Sequence, residues 1–185
     1  QSEPLVGTWV SLSDPAVAEM TAPGFDFVML DTEHAPSTTE TVAEQVRAVE
    51  AADGDAVPLA RVLDNDLGAV KRLLDLGVAG VMVPMVDTPE EATAAVEAAK
   101  FPPDGSRGVA GTRASSYGRN LGAYLDRAND ETALIVQIET ERGLANVTDI
   151  AATEGVDALF VGPADLSANL GVFGEFEGEP FRDAV

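Results

Sequence analysis

Apolar strand-like runs alternate with helix-like patterns along the whole chain, and this alternation restricts the available folds more than any other feature. Residues 6–12, 26–30, 57–62, 80–83, 134–138 and 158–161 read as strands, most of them nearly continuously apolar. Asp14-Pro15 opens a short helix after the first, with proline in its first turn. Ser37 and Glu40 have capping-box spacing ahead of Val42, Val46 and Val49. A helix expected over 66–76 carries Val70, Leu73, Leu74 and Leu76 on or near its inner face and stops at Gly77. Thr88-Pro89-Glu90-Glu91 caps the next. A loop rich in Pro, Gly and Arg spans 101–113, a helix is expected over 115–127, and 144–152 belongs to the helix after strand five. The acidic, Gly-rich stretch 171–180 reads as loop. Buried strands alternating with helices specify a parallel sheet covered by helices.

Six βα steps are legible. An open doubly wound sheet needs about that many, whereas a (β/α)8 TIM barrel needs eight strands and about 250 residues. Yet no Gly-x-Gly-x-x-Gly follows the first strand, and no Gly-Lys-Ser/Thr occurs anywhere. The polar residues favour the barrel. Glu33 and His34 follow strand two, Arg61 lies near the end of strand three, Gln137 and Glu139 end strand five, and Asp165 follows strand six. All sit at carboxyl ends of strands, where a barrel builds its active site.

Composition narrows the chemistry. The chain has 185 residues, 45% of them hydrophobic, enough for one domain with a real core. The absence of cysteine excludes disulfides, thiolate metal sites and cysteine nucleophiles. Acids outnumber bases 32 to 11, for a net charge of -21, so nucleic acid and anionic membranes are poor partners. No apolar run approaches the roughly 20 residues that cross a bilayer, and no signal-peptide pattern opens the chain. A soluble cytoplasmic protein is expected. The evenly spread acids suit a halophile's cytosol, where salt screens repulsion to a few Å; a merely acidic mesophilic protein is the alternative.

His34, in Asp31-Thr32-Glu33-His34, is the only histidine. Histidine is the side-chain type most suited to general base chemistry near neutrality, although an acidic surface loop would read the same way. Glu139 and Asp165 end adjacent expected strands. Two converging carboxylates repel unless a cation lies between them, and an oxygen-dominated donor set favours Mg²⁺ or Mn²⁺. Glu139 could instead only begin the next helix as an acid favoured by its dipole. Arg61 calls for a carboxylate or phosphate, from a structural acid such as Glu33 or from a substrate. Asp75 opposes a helix dipole in a last turn, as a tolerated surface acid or as a residue kept to pair with a histidine. Lys71 and Lys100 are expected to face outwards. Without an inward lysine, carbon–carbon bond chemistry would use a metal rather than a Schiff base.

The sequence resembles the HpcH/HpaI aldolase family of class II pyruvate aldolases, of the 4-hydroxy-2-oxoheptanedioate and 2-dehydro-3-deoxyglucarate aldolase type. The resemblance rests on Gly7-Thr8-Trp9, Asp31-Thr32-Glu33-His34-Ala35-Pro36, Leu73-Leu74-Asp75-Leu76-Gly77, Val83-Pro84-Met85-Val86-Asp87-Thr88, Pro102-Pro103-Asp104-Gly105-Ser106-Arg107-Gly108, Gln137-Ile138-Glu139 and Gly162-Pro163-Ala164-Asp165-Leu166-Ser167, in the family's order. It implies a (β/α)8 TIM barrel, of which this single domain would hold about six units, strands seven and eight being absent. It implies a divalent metal, Mg²⁺ or Mn²⁺ with Co²⁺ a further candidate, on Glu139 and Asp165. Arg61 would stabilise the enolate oxygen, His34 with Asp75 would handle the proton of the 4-hydroxyl, and Gln137 and the backbone around Ala164 would orient pyruvate. Asp31 and Glu33 would hold the histidine and arginine in place. The implied partners are a small keto acid and an aldehyde, in a homo-oligomer, a hexamer by resemblance. A citryl- or malyl-CoA lyase, or a non-catalytic barrel binding an acidic metabolite, are the alternatives.

The acidic surface gives one expectation of its own. Thermal stability should rise with KCl towards molar concentrations; a protein most stable in dilute buffer would refute the halophilic reading.

Overall fold

In a computed structural model that describes residues 4–185, the alternation becomes one sheet of six parallel strands in sequential order. The strands are β1 (Gly7–Val10), β2 (Phe27–Asp31), β3 (Val57–Arg61), β4 (Gly80–Val83), β5 (Ala133–Ile138) and β6 (Ala158–Val161). The helices are α1 (Pro15–Thr21), α2 (Thr39–Ala51), α3 (Leu67–Leu74), α4 (Pro89–Ala99), α5 (Leu121–Glu131), α6 (Glu141–Ala145), α7 (Val147–Ala151), α8 (Pro163–Asn169) and α9 (Glu179–Ala184), with a 3₁₀ turn at Arg113–Ser115. A doubly wound sheet reverses its strand order at a switch point; this one never does, so the winding runs in one sense as in a barrel. The sheet is a curled half-barrel. Trp9 of β1 and Phe160 of β6 lie with ring centroids 5.6 Å apart although their strands share no ladder.

Two-residue periodicity divides the strands between two cores. Val28, Leu30, Ala60, Val81, Val83, Leu134, Val136 and Ile138 pack against the helices, with Val42, Val46, Val70, Leu74, Ala92 and Ala95. The alternate residues Met29, Leu59 and Met82 form a second cluster on the concave face, with Trp9, Phe27, Ile135 and Phe160 against it. A cavity of about 790 Å³ opens on that face, reaching Asp26, Asp55 and Asp157 at the amino-terminal ends of the strands. Continuing the same alternation beyond the apolar layer reaches Asp31, Arg61, Gln137 and Glu139. The polar residues of the mouth are therefore the concave-face positions carried past the end of the core.

Several local expectations shift. Helix α2 is capped by Thr38, whose Oγ1 accepts from the Thr41 amide at 3.2 Å, while Ser37 is engaged with Ser13 at 2.9 Å. The helix expected from 115 starts only at Leu121, because Ser116, Tyr117 and Gly118 all have positive φ. The expected helix over 144–152 breaks at Asn146, and the acidic tail ends in α9. Lys100 does not face outwards. It is buried at the end of α4, and its Nζ donates to the carbonyls of Asn129 at 2.6 Å and Thr132 at 2.8 Å at the end of α5. Among the described residues no helix is long and apolar enough to cross a membrane.

The capping box of α4 forms as expected: Thr88 Oγ1 accepts from the Glu91 amide, and the Glu91 carboxylate accepts from the Thr88 amide, each at 3.2 Å. Thr88→Ala should cost about 1 kcal/mol of unfolding free energy, read as a lower urea midpoint with an unchanged slope.

Candidate active site

Arg61 anchors the mouth of the half-barrel. It stands beside Asp31 in the β2–β3 register, and both are buried. Its Nε donates to Asp31 Oδ1 at 2.9 Å and its Nη2 to Asp31 Oδ2 at 2.7 Å, a bidentate fork. Nη1 lies 2.7 Å from Glu33 Oε2 as an ion pair without hydrogen-bonding geometry, since that oxygen has no hydrogen-bond donor. The guanidinium also stacks 4.8 Å from the centroid of Trp9. Asp31 Oδ1 in addition accepts from the Glu33 amide at 3.0 Å, so one buried carboxylate shapes both the arginine and the turn that carries Glu33 and His34.

Glu139 lies opposite, just past the end of β5, and is 3% exposed. Its Oε1 accepts from Gln137 Nε2 at 3.0 Å and its Oε2 from the Met85 amide at 3.1 Å. To make that contact Met85 takes φ 55, a left-handed conformation that costs a non-glycine residue about 1–2 kcal/mol. On the other side the carboxylate lies over the backbone of Gly162, where an added Cβ would come within 2.3 Å of Oε1. Only glycine permits that approach. Asp165, exposed in the first turn of α8, is close enough for its charge to act on both Glu139 and Glu33.

The carboxyl pKa values diverge. Burial pushes Asp31 up, but the Arg61 hydrogen bonds, the Glu33 amide and the Arg61 charge outweigh it and hold the group below its ordinary value. Burial raises Glu33, and Arg61 offsets only part of the rise. Burial likewise raises Glu139, with Asp165 and Glu33 adding to it against the Met85 amide. Three carboxylates thus face one guanidinium, and a fourth, Asp165, adds its charge to two of them. The oxygen of the Gln137 amide is buried with no donor. An excess of negative charge, oxygen donors only and an unsatisfied carbonyl suit a hard divalent cation. Among the described residues no three acidic or imidazole side chains cage an ion, so water and substrate oxygens would complete a shell begun by Glu139 and Asp165.

His34 sits at the rim with its side chain 69% exposed, and its Nε2 is 3.9 Å from Glu33 Oε1. The expected pairing with Asp75 is not formed within the chain. Helix α3 descends from the mouth, so its C-cap Asp75 lies at the opposite end of the sheet, where it accepts from Arg107 Nη2 at 2.9 Å. That guanidinium is buried against Phe101, 4.4 Å from the ring centroid. Ala164 is exposed, and its carbonyl accepts from Ser167 Oγ at 2.9 Å. The structure brings together Asp31, Glu33, Arg61, Gln137, Glu139 and Asp165, with His34 at the edge. The Met85 amide joins them unforeseen: a backbone donor made available by a left-handed φ leaves no side-chain signal in a sequence.

Comparison with known proteins places this arrangement. The family model described as HpcH/HpaI aldolase/citrate lyase matches residues 5–185. A hydroxypyruvate/pyruvate aldolase of Deinococcus radiodurans is 46% identical over 170 residues, covering 91% of this chain and 61% of that protein. A 4-hydroxy-2-oxo-heptane-1,7-dioate aldolase of Shigella flexneri is 44% identical over 185 residues, covering 98% of this chain and 68% of that one. The chain thus spans roughly two thirds of the length of these relatives. The crystal structure of an HpcH/HpaI aldolase/citrate lyase family protein from Burkholderia cenocepacia superposes with a TM-score of 0.94 at 45% identity, over 98% of this chain and 73% of the other. Strand order, the polar mouth and these matches agree: the chain belongs to the HpcH/HpaI aldolase/citrate lyase family.

Proposed function

We propose that the protein is a divalent-metal-dependent aldolase that reversibly cleaves a 2-keto-4-hydroxy acid to pyruvate and an aldehyde. The observation that carries this reading is the placing of Glu139 and Asp165 at one strand-end mouth, near enough for the charge of one to act on the other, beside a guanidinium fixed by Asp31. The names of its relatives, pyruvate and hydroxypyruvate aldolases among them, support the same reaction class. Glu139 and Asp165 would hold Mg²⁺ or Mn²⁺, which when bound would act as a Lewis acid on the keto acid.

The chain's own residues supply the rest. Arg61 cannot swing away, because Asp31 engages two of its nitrogens. Its charge therefore waits at the mouth for the negative charge that develops on the keto oxygen. Gln137 and the backbone around Ala164 orient the keto acid. His34, free of a tight partner, takes the proton from the 4-hydroxyl at the rim as the carbon–carbon bond breaks, and returns it in the synthetic direction. Asp75 plays no part in this step within one chain, being held by Arg107.

In a lactate-dehydrogenase-coupled assay the full-length protein should release pyruvate from a 4-hydroxy-2-keto acid, and EDTA should abolish the release. His34→Ala should slow cleavage by 10²-fold or more, in the usual range for a lost general base, and leave Mn²⁺ affinity within about twofold. Turnover that resists EDTA would overturn the metal assignment, and equal losses of turnover and affinity would overturn the base.

The raised pKa of Glu139 gives an independent prediction. A carboxyl whose folded pKa is raised contributes stability that is complete below its unfolded pKa and is lost as pH rises through the folded value. At neutral pH the metal-free protein therefore bears the cost of burying the Glu139 carboxyl beside Asp165 and Glu33. Glu139→Gln should melt higher than the parent without metal at pH 7.5. The gap should close on acidification towards pH 4, where both side chains are neutral. A gap independent of pH would contradict this.

A further inference from the structure

The turn after β4 makes no contribution to either apolar core except through Val86, yet it is tied at several points to the segment that carries Glu139. The Met85 amide donates to Glu139 Oε2 at 3.1 Å, and the Val86 amide to the Gln137 carbonyl at 3.2 Å. Thr140 Oγ1 donates to Asp87 Oδ1, and Asn146 Nδ2 to the Asp87 carbonyl at 2.8 Å. From the other side the Glu91 carboxylate accepts from the Asp87 amide at 2.7 Å. Helix α6 closes on the turn so tightly that a Cβ at Gly143 would stand 2.9 Å from the Val86 carbonyl.

These contacts share one geometric consequence. Met85 holds an unfavourable left-handed φ with its side chain about half exposed, so no side-chain burial of its own repays the conformation. What the conformation achieves is the direction of one N–H towards Glu139. Asp87 is the residue that keeps the turn in place: its amide, carbonyl and carboxylate are bonded to three different partners. Thr140, next in sequence to Glu139, completes the link, because its hydroxyl both donates to Asp87 and accepts from the Gly143 amide at 2.9 Å.

We propose that Asp87 and Thr140 form a positioning clamp that, through the left-handed Met85 amide, fixes the Glu139 carboxylate in the orientation needed to hold a divalent cation. Neither side chain touches the cation or the substrate. The inference rests on the reading of Glu139 as a metal ligand. Groups that orient a metal ligand are commonly worth 10- to 100-fold in affinity, since a carboxylate free to rotate must be ordered when the ion binds.

The test is Mn²⁺ affinity, read from the electron paramagnetic resonance signal of free Mn²⁺, which needs no turnover. It is made on full-length protein whose metal-free melting and circular dichroism are recorded alongside. Thr140→Val keeps the side-chain shape and removes the hydroxyl; it should weaken Mn²⁺ binding about 10-fold, and Thr140→Ser should restore it to within twofold. Asp87→Ala should weaken binding to a similar extent, and the double variant should be no weaker than the worse single one, because both remove one link. Asp87→Ala also decides the matter should Thr140→Val fail to fold. Parental affinity in a folded Asp87→Ala or Thr140→Val protein, or losses that simply add, would overturn the clamp. Glu139→Gln, measured in parallel, separates the two ideas. If it too binds Mn²⁺ like the parent, the metal reading itself fails; if it alone loses affinity, only the clamp does.

Discussion

A buried arginine gripped by a buried aspartate is the interaction on which the mouth of this half-barrel depends. Arg61 and Asp31 are direct neighbours in register on β3 and β2, at the last concave-facing positions of both strands. Desolvating either charge alone would be prohibitive, so each is tenable only in the other's presence. The fork consumes both aspartate oxygens and two guanidinium nitrogens. What remains of Asp31 Oδ1 shapes the turn to Glu33, and what remains of the arginine, Nη1, faces Glu33. One ion pair thus ends two strands, orients the loop that carries His34, and provides a cationic point beside Glu139.

The same pair explains why the site is uneven in charge. Asp31 is matched so well that its pKa falls despite burial, whereas Glu33 and Glu139 are left with too little positive charge and rise. A single guanidinium cannot satisfy four carboxylates. A fold selected only for stability would replace some of them with neutral groups. Their convergence at the mouth, together with a left-handed Met85 and a glycine at Gly162 that admits Glu139, is local strain concentrated where a cation would relieve it.

The strands were legible because parallel strands buried on both faces are apolar runs, and the polar ends of those runs gave the site its place. Gly80–Val83 and Ala158–Val161 fall where the runs fall. Errors gathered where hydrophobic pattern carries no information. Ser37 and Thr38 are both competent caps, and only packing against Ser13 assigns the first elsewhere. Ser116 and Tyr117 adopt positive φ without being glycine. Asp75 resembles a residue kept for a histidine, but within one chain the direction of α3 takes it to the far end from His34, where it pairs with Arg107. Lys100 follows a helix as a surface lysine would, yet two carbonyls at the end of α5 draw it inside. Apart from the local turn at Ser116 and Tyr117, these differences are long-range polar contacts, the kind of information that periodicity does not encode.

Sequential strand order has a further consequence for how such a site can be built. Every crossover returns its helix to the same convex side, so the concave side receives only strand side chains and the loops at strand ends. Alternation fixes which side chains those are: large apolar ones at mid-strand, where Met29, Leu59, Met82 and Ile135 meet, and, one step of two further on along β2, β3 and β5, the polar Asp31, Arg61 and Gln137. The polar layer lies directly beyond the apolar one, one residue deep on β2 and β3 and two at the end of β5, where Gln137 and Glu139 bond to each other. Curvature then does the rest. It brings Trp9 on the first strand against Phe160 on the sixth and under the Arg61 guanidinium. Residues separated by well over a hundred positions in sequence therefore converge because the sheet bends, and not because any loop reaches across.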